Sequence, residues 1–427
     1  VAVLEHLMIG SEGTLGFISE ITYRTVVEDA RTATALLFFA DVDAAVDAVV
    51  SLRQAPVRAV ELIDRAGLAS VAGKPGVPGM VADLPERATA LLVEVGAADA
   101  GELAGRLDRV RAALGGHALL AEADFTEDPD AQAALWTVRK GLFPSVGAMR
   151  AKGTTVIIED VAFPMGHLAE ATRALQALLG KHGYDEAIIF GHALEGNLHF
   201  VFTQDFATPA EVARYARFME DVAELVVAHE GSLKAEHGTG RNMAPFVEKE
   251  WGAEATALMR DIKRLFDPET LLNPGVLLND DPGVHLADLK PMPAAADVVD
   301  TCIECGFCEP MCPSNGLTLS PRQRIVGRRE VARLAAGGAV ETAPAAALER
   351  LYAWHGTDTC AGCGLCETVC PVGINTGTLI RRLRAGRRGP TALTTAGWLA
   401  DHFGAAVAGA RGAFAVAALA RRLMGDA

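Results

Sequence analysis

Eight cysteines carry the densest chemistry in this sequence, and none occurs before residue 302. They form two copies of one pattern. Cys302, Cys305 and Cys308 are followed by Cys312-Pro313, and Cys360, Cys363 and Cys366 are followed by Cys370-Pro371. Three thiolates at that spacing can wrap one corner of a cuboidal iron-sulfur cluster while the chain carries the fourth away. Structural zinc normally uses two Cys-x-x-Cys pairs, and a disulfide framework would scatter its cysteines, so both fit less well. Gly306, Gly362 and Gly364 let the backbone turn tightly and aim amides at sulfur.

This spacing resembles that of bacterial two-cluster ferredoxins, in which the trailing cysteine ligates the other cluster. It implies one 4Fe-4S cluster on Cys302, Cys305, Cys308 and Cys370, and a second on Cys360, Cys363, Cys366 and Cys312. The intervening runs Pro321 to Ala336 and Pro344 to Trp354 have helical periodicity, so the module is expected to be mainly α-helical.

A second constellation lies upstream. His192 and His199 bracket a turn at Gly196-Asn197, which lets both imidazoles converge at the end of a sheet. Glu236 and His237 adjoin the flexible Gly238-Thr239-Gly240. Two imidazoles and a carboxylate suit a divalent metal, although a histidine met singly is more often an ordinary core or surface residue. Arg139, at the end of the helical run Leu135 to Lys140, could fork onto a substrate carboxylate, against the ordinary reading of a solvated helix face.

These groups need elements to position them. Alternation and periodicity predict strands at Thr34 to Phe39, Thr89 to Val95, Ala118 to Ala123, Thr154 to Val161, Ala187 to Phe190 and Leu198 to Thr203. Helices are predicted at Val42 to Arg53, Glu102 to Leu114, Pro129 to Phe143, Leu168 to His182, Pro209 to His229 and Ala253 to Phe266. The class is α+β, with helices covering one face of an antiparallel sheet. Gly10 to Gly16 reads as a glycine-rich turn leading into a strand over residues 17–23, without the Rossmann fingerprint.

The chain has 427 residues, enough for two to four domains. Against 54 acidic residues stand 39 basic ones, a net charge of -15, which disfavours nucleic acid as a partner. The chain begins at Val1, and its first residues show no targeting signal, so a piece of a longer protein is expected. Between Ala396 and Leu423 the apolar run is broken by Asp401, His402, Arg411, Arg421 and Arg422, which predicts amphipathic helices and no transmembrane segment.

Gly10 to Glu20, Gly191 to His199, Ala235 to Gly240 and Leu271-Leu272-Asn273-Pro274-Gly275 together resemble FAD-linked oxidases of the vanillyl-alcohol oxidase superfamily. With the cysteine domain behind them, the chain is similar to D-lactate and D-2-hydroxyglutarate dehydrogenases of the flavin and iron-sulfur type, and to glycolate oxidase subunits. The resemblance implies that residues 1–27 end a FAD-binding domain of the PCMH type and that 28–282 form the substrate domain. A linker at 283–297, a two-cluster domain at 298–385 and a helical tail at 386–427 would follow.

It further implies that Gly10, Ser11, Glu12, Gly13, Thr14, Gly16 and Asn273 contact FAD. His192, His199 and Glu236 would hold zinc or manganese, His237 would be the general base and Arg139 would anchor the substrate carboxylate, with Lys152 a weaker candidate for a second anionic group. The expected reaction is oxidation of a 2-hydroxy acid to the 2-oxo acid. Electrons would pass through the clusters to a quinone, cytochrome or partner protein. A glycolate-type enzyme and a non-catalytic electron-transfer subunit are the alternatives. The family's pyrophosphate-binding half would lie before Val1, so this chain alone is not expected to hold FAD tightly. Thiolate ligation implies a reducing compartment, cytoplasmic or peripheral at the inner membrane face.

Overall fold

A computed structural model describes residues 2–73, 77–336 and 342–424. The chain divides into two units, one ending at Ala294 and the other beginning at Ala295.

The first unit is built on a six-stranded sheet: β1 (Arg31–Phe39), β2 (Ala59–Ile63), β3 (Thr89–Ala97), β4 (Thr155–Ala162), β5 (Ile188–His192) and β6 (Asn197–Gln204). Their order is β1-β3-β2-β5-β6-β4, and every pairing is antiparallel. Side chains alternate between the faces of a strand. Ala33, Ala35, Leu37 and Phe39 of β1 therefore point into the larger core with Leu91, Val93, Phe200 and Phe202. Helices Val42–Leu52, Ala100–Leu114, Leu168–Lys181 and Pro209–Ala228 cover that face. The last of these buries Tyr215, Phe218, Met219, Val222, Ala223 and Val226, a stripe at three- and four-residue spacing.

Helices were expected on one face only, and the structure has them on both. Phe38, Ile63, Ala90, Phe190 and Val201 make the second face apolar as well, and Leu68, Val71, Leu142 and Val146 cover part of it. Those residues come from helices Arg65–Val71 and Leu142–Met149. Asp64 caps the former by accepting from the Gly67 amide at 2.8 Å, and complete burial pushes its carboxyl up to about 6.

Three further local predictions differ. β2 was not anticipated, because Glu61 interrupts its short apolar run. Among the described residues the segment 118–123 makes a single backbone bond to β1, from the Leu120 amide to the Phe38 carbonyl, with a lone bridge further on at Thr34–Thr126, so no ladder forms. Residues 17–23 form no strand, and Phe17 and Tyr23 are exposed.

In the second unit, helices Pro321–Ala336, Thr342–Tyr352 and Thr376–Gly386 surround the cysteine loops. Its buried apolar cluster is small: Val299, Ile325, Ile374 and Leu379. Helix Phe403–Met424 follows. The expectation of no spanning segment meets one helix that differs: Phe403–Leu423 contains an 18-residue window of mean hydropathy 1.6 with none of it buried, long and apolar enough to cross a membrane by length and composition alone.

Candidate functional site

The partly uncovered end of the second sheet face carries the polar groups. Antiparallel register sets Glu61 of β2 opposite His192 of β5, and Asp160 of β4 opposite His199 of β6. Directly paired residues on one face stand about 4.5–5.5 Å apart at Cβ, so the ladder itself makes each acid a neighbour of an imidazole. Two glycines permit the tight approach. A Cβ on Gly191 would meet the Asn197 carbonyl oxygen at 2.1 Å. One on Gly196, which has φ +68°, would meet that of Phe163 at 2.1 Å.

Glu61 binds two partners. Its Oε1 lies 2.6 Å from His192 Nδ1, and its Oε2 accepts from Arg139 Nε at 2.7 Å. Burial pushes the Glu61 carboxyl up, but the His192 hydrogen bond and the Arg139 charge outweigh it and hold the pKa below the usual carboxylate range. The hydrogen bond to Glu61 conversely raises His192. Arg139 also lies over the Phe190 ring, 4.3 Å from its centroid, which fixes the guanidinium plane.

With Nδ1 engaged, His192 turns Nε2 toward Glu236, whose Oε1 is 3.4 Å away and also 2.9 Å from His199 Nε2. Burial lowers His199 to about 4, leaving its imidazole neutral near pH 7. The loop bearing Glu236 and His237 is held by Asp160, whose Oδ2 accepts from the Glu236 amide at 2.7 Å and the His237 amide at 3.2 Å. The other oxygen, Oδ1, faces His237 Nδ1 at 3.5 Å. Burial raises the Asp160 carboxyl. Ligand atoms of Asp160, His199, Glu236 and His237 lie within 4.8 Å of one another.

The glycine-rich turn reaches the same loop. Glu12 accepts from the Thr239 amide at 2.6 Å and the Gly240 amide at 2.7 Å, and its own carbonyl accepts from Asn273 Nδ2 at 2.6 Å. Ser11 and Thr14 are buried and bond within the turn, while Gly10 and Gly13 adopt positive φ and Gly16 packs against Met8. Lys152 is exposed in the turn before β4. The structure thus brings together His192, His199, Glu236, His237 and Arg139. Sequence reasoning missed Glu61, a lone acid within an apolar strand, and Asp160, which follows Glu159 in another, a signal that was present.

The cysteines gather around two cavities. Cys302, Cys305, Cys308 and Cys370 line one, and Cys312, Cys360, Cys363 and Cys366 line the other. All eight are free thiols. Burial pushes Cys308 up to about 12, so its thiolate requires a cation to stabilise it. Four sulfurs around each hollow, with the Glu304 amide donating to Cys302 Sγ and the Gly362 amide to Cys360 Sγ, fit an iron-sulfur cluster.

Fold and site together define an antiparallel-sheet domain with a histidine and carboxylate site, joined to a domain with two cysteine-lined cluster cavities, and comparison with known proteins says which. Residues 28–277 match the family described as FAD linked oxidases, C-terminal domain, and residues 298–374 match the 4Fe-4S dicluster domain. The chain belongs to the FAD linked oxidases. It is 29% identical over 278 residues to an Arabidopsis thaliana protein named "D-lactate dehydrogenase [cytochrome], mitochondrial", covering 64% of this chain and 47% of that one. It is 28% identical to glycolate oxidase subunit GlcD of Bacillus subtilis (65% and 57% covered) and 32% identical to a D-2-hydroxyglutarate dehydrogenase of Xanthomonas citri pv. viticola (64% and 57%). The chain spans about half the length of the curated relatives it matches.

Proposed function

We propose that the chain is the substrate and electron-outlet portion of a dehydrogenase that oxidises a 2-hydroxy acid, D-lactate or D-2-hydroxyglutarate, to the 2-oxo acid. The observation that carries this reading is the convergence of His192 Nε2 and His199 Nε2 on one oxygen of Glu236, with His237 and Arg139 beside them. His192, His199 and Glu236 would hold a divalent metal, zinc or manganese. When bound, the metal supplies Lewis acidity toward the substrate hydroxyl, FAD supplies a hydride acceptor, and the clusters supply a one-electron outlet.

The chain's own residues do the rest. Glu61 orients His192 through Nδ1, the arrangement that fixes a ligating imidazole and raises its basicity. Arg139, tied to Glu61 through Nε, presents its Nη nitrogens to a carboxylate. His237 takes the hydroxyl proton at Nε2, because Nδ1 faces Asp160. Ser11, Glu12, Thr14, Asn273 and the turn glycines would meet the flavin. The electron acceptor would be a quinone, a cytochrome or a partner protein, in the cytoplasm or at the inner membrane face.

The test is anaerobic mixing of the full-length holoprotein with a panel of D- and L-2-hydroxy acids while flavin absorbance is followed. Bleaching by a D-2-hydroxy acid is expected, lost in His237→Asn. Bleaching undiminished in that variant, or none with any acid, would overturn the assignment in favour of an electron-transfer subunit.

A further inference from the structure

The two cysteine cavities look alike in donors and exposure, each holding one exposed cysteine, Cys305 in the first and Cys363 in the second. Their charges differ. Around the first, both arginines are neutralised: Arg329 pairs with Glu304 at 2.5 Å, and Arg322 with Glu309 at 3.2 Å. Around the second lies Arg324, which is 0% exposed. Its Nε donates to the Gly356 carbonyl at 2.7 Å, Nη2 to Thr359 Oγ1 at 3.4 Å and Nη1 to Cys312 Sγ at 3.6 Å. Among the described residues no carboxylate pairs with it. Arg384 adds a second cation there, donating to the Cys360 carbonyl at 2.6 Å, again with neutral acceptors only.

A cluster gains one negative charge on reduction. A buried cation donating to a ligating sulfur therefore stabilises the reduced state more than the oxidised one, and low local polarity strengthens the effect. A cation already paired with a carboxylate does so far less.

The geometry points to Arg324 as the residue that raises the reduction potential of the cluster on Cys312, Cys360, Cys363 and Cys366 above that of its neighbour. Electrons then collect at the second cluster, which becomes the exit. The transfer is one electron from the reduced first cluster to the oxidised second, with no bond broken and no proton moved. This rests on cluster ligation alone and holds whichever acid is oxidised.

The test is a dithionite titration of the anaerobic full-length holoprotein, followed by electron paramagnetic resonance. Two separate one-electron steps are expected. Arg324→Gln should lower the upper step by about tenfold in the reduction equilibrium, ~59 mV for one electron, and leave the lower step in place. Arg324→Lys, which keeps the charge, should shift it less. Glu304→Gln, which unpairs Arg329, should raise the lower step and narrow the gap. A single coincident step in the unmodified protein, or an Arg324→Gln change confined to the lower step or absent, would overturn the assignment. If Arg324→Gln does not fold, Arg324→Lys decides, since an upper step that does not move at all refutes the assignment.

Discussion

His192 and His199 stand on strands backed by the large apolar core of the first unit, whereas the cysteines sit in loops around Val299, Ile325, Ile374 and Leu379. In the first unit the scaffold folds on its own burial and presents its histidines ready-made. The second unit has too little core to do the same, so its ligands must contribute to folding. A site built on a sheet therefore keeps its shape when empty, while a site built from loops does not.

Removing the iron is the strongest way to break that comparison. Anaerobic chelation should unfold the cluster loops and their flanking helices and leave the sheet intact. Circular dichroism together with limited proteolysis would report this as cleavage confined to residues beyond Ala295. Equal protease resistance before and after chelation would remove the distinction. Next in size, His237→Asn in the full-length enzyme should lower kcat about 10²- to 10⁴-fold, measured with an artificial acceptor, with thermal stability unchanged.

A smaller effect sharpens the sheet side. Glu61→Gln keeps the shape but weakens the hold on His192 and Arg139, and should cost about 10- to 100-fold in metal affinity or activity. Metal content measured alongside turnover separates the two causes.

The last effect is on stability alone and leaves the site untouched. Asp64 has its pKa raised by burial to about 6, so between about pH 4 and pH 6 the native state binds more protons than the unfolded one. Its contribution therefore makes stability fall as pH rises through that window. Asp64→Asn, which retains an oxygen for the Gly67 amide, should flatten the slope by up to ~3 kcal/mol in urea unfolding at pH 4 and pH 7.

The cysteine sets were legible because their spacing is local: three of four donors per cluster lie within seven residues, and short loops bring them together whatever surrounds them. Most strands and helices were legible for the same reason, through periodicity within single segments. β2 was not, since Glu61 breaks a five-residue apolar run, and with β2 went the partner of His192.

The chain's own order of residues thus determined which side chains could ligate iron and that two histidines flank a turn at Gly196. Tertiary structure alone decided that Glu61, 131 positions away, grips His192, that Asp160 holds the Glu236–His237 loop, and that Glu12 reaches Thr239 from 227 positions off. Those contacts come from pairing across a sheet and from loops docking at its end, and long-range pairing leaves no period in the sequence to read.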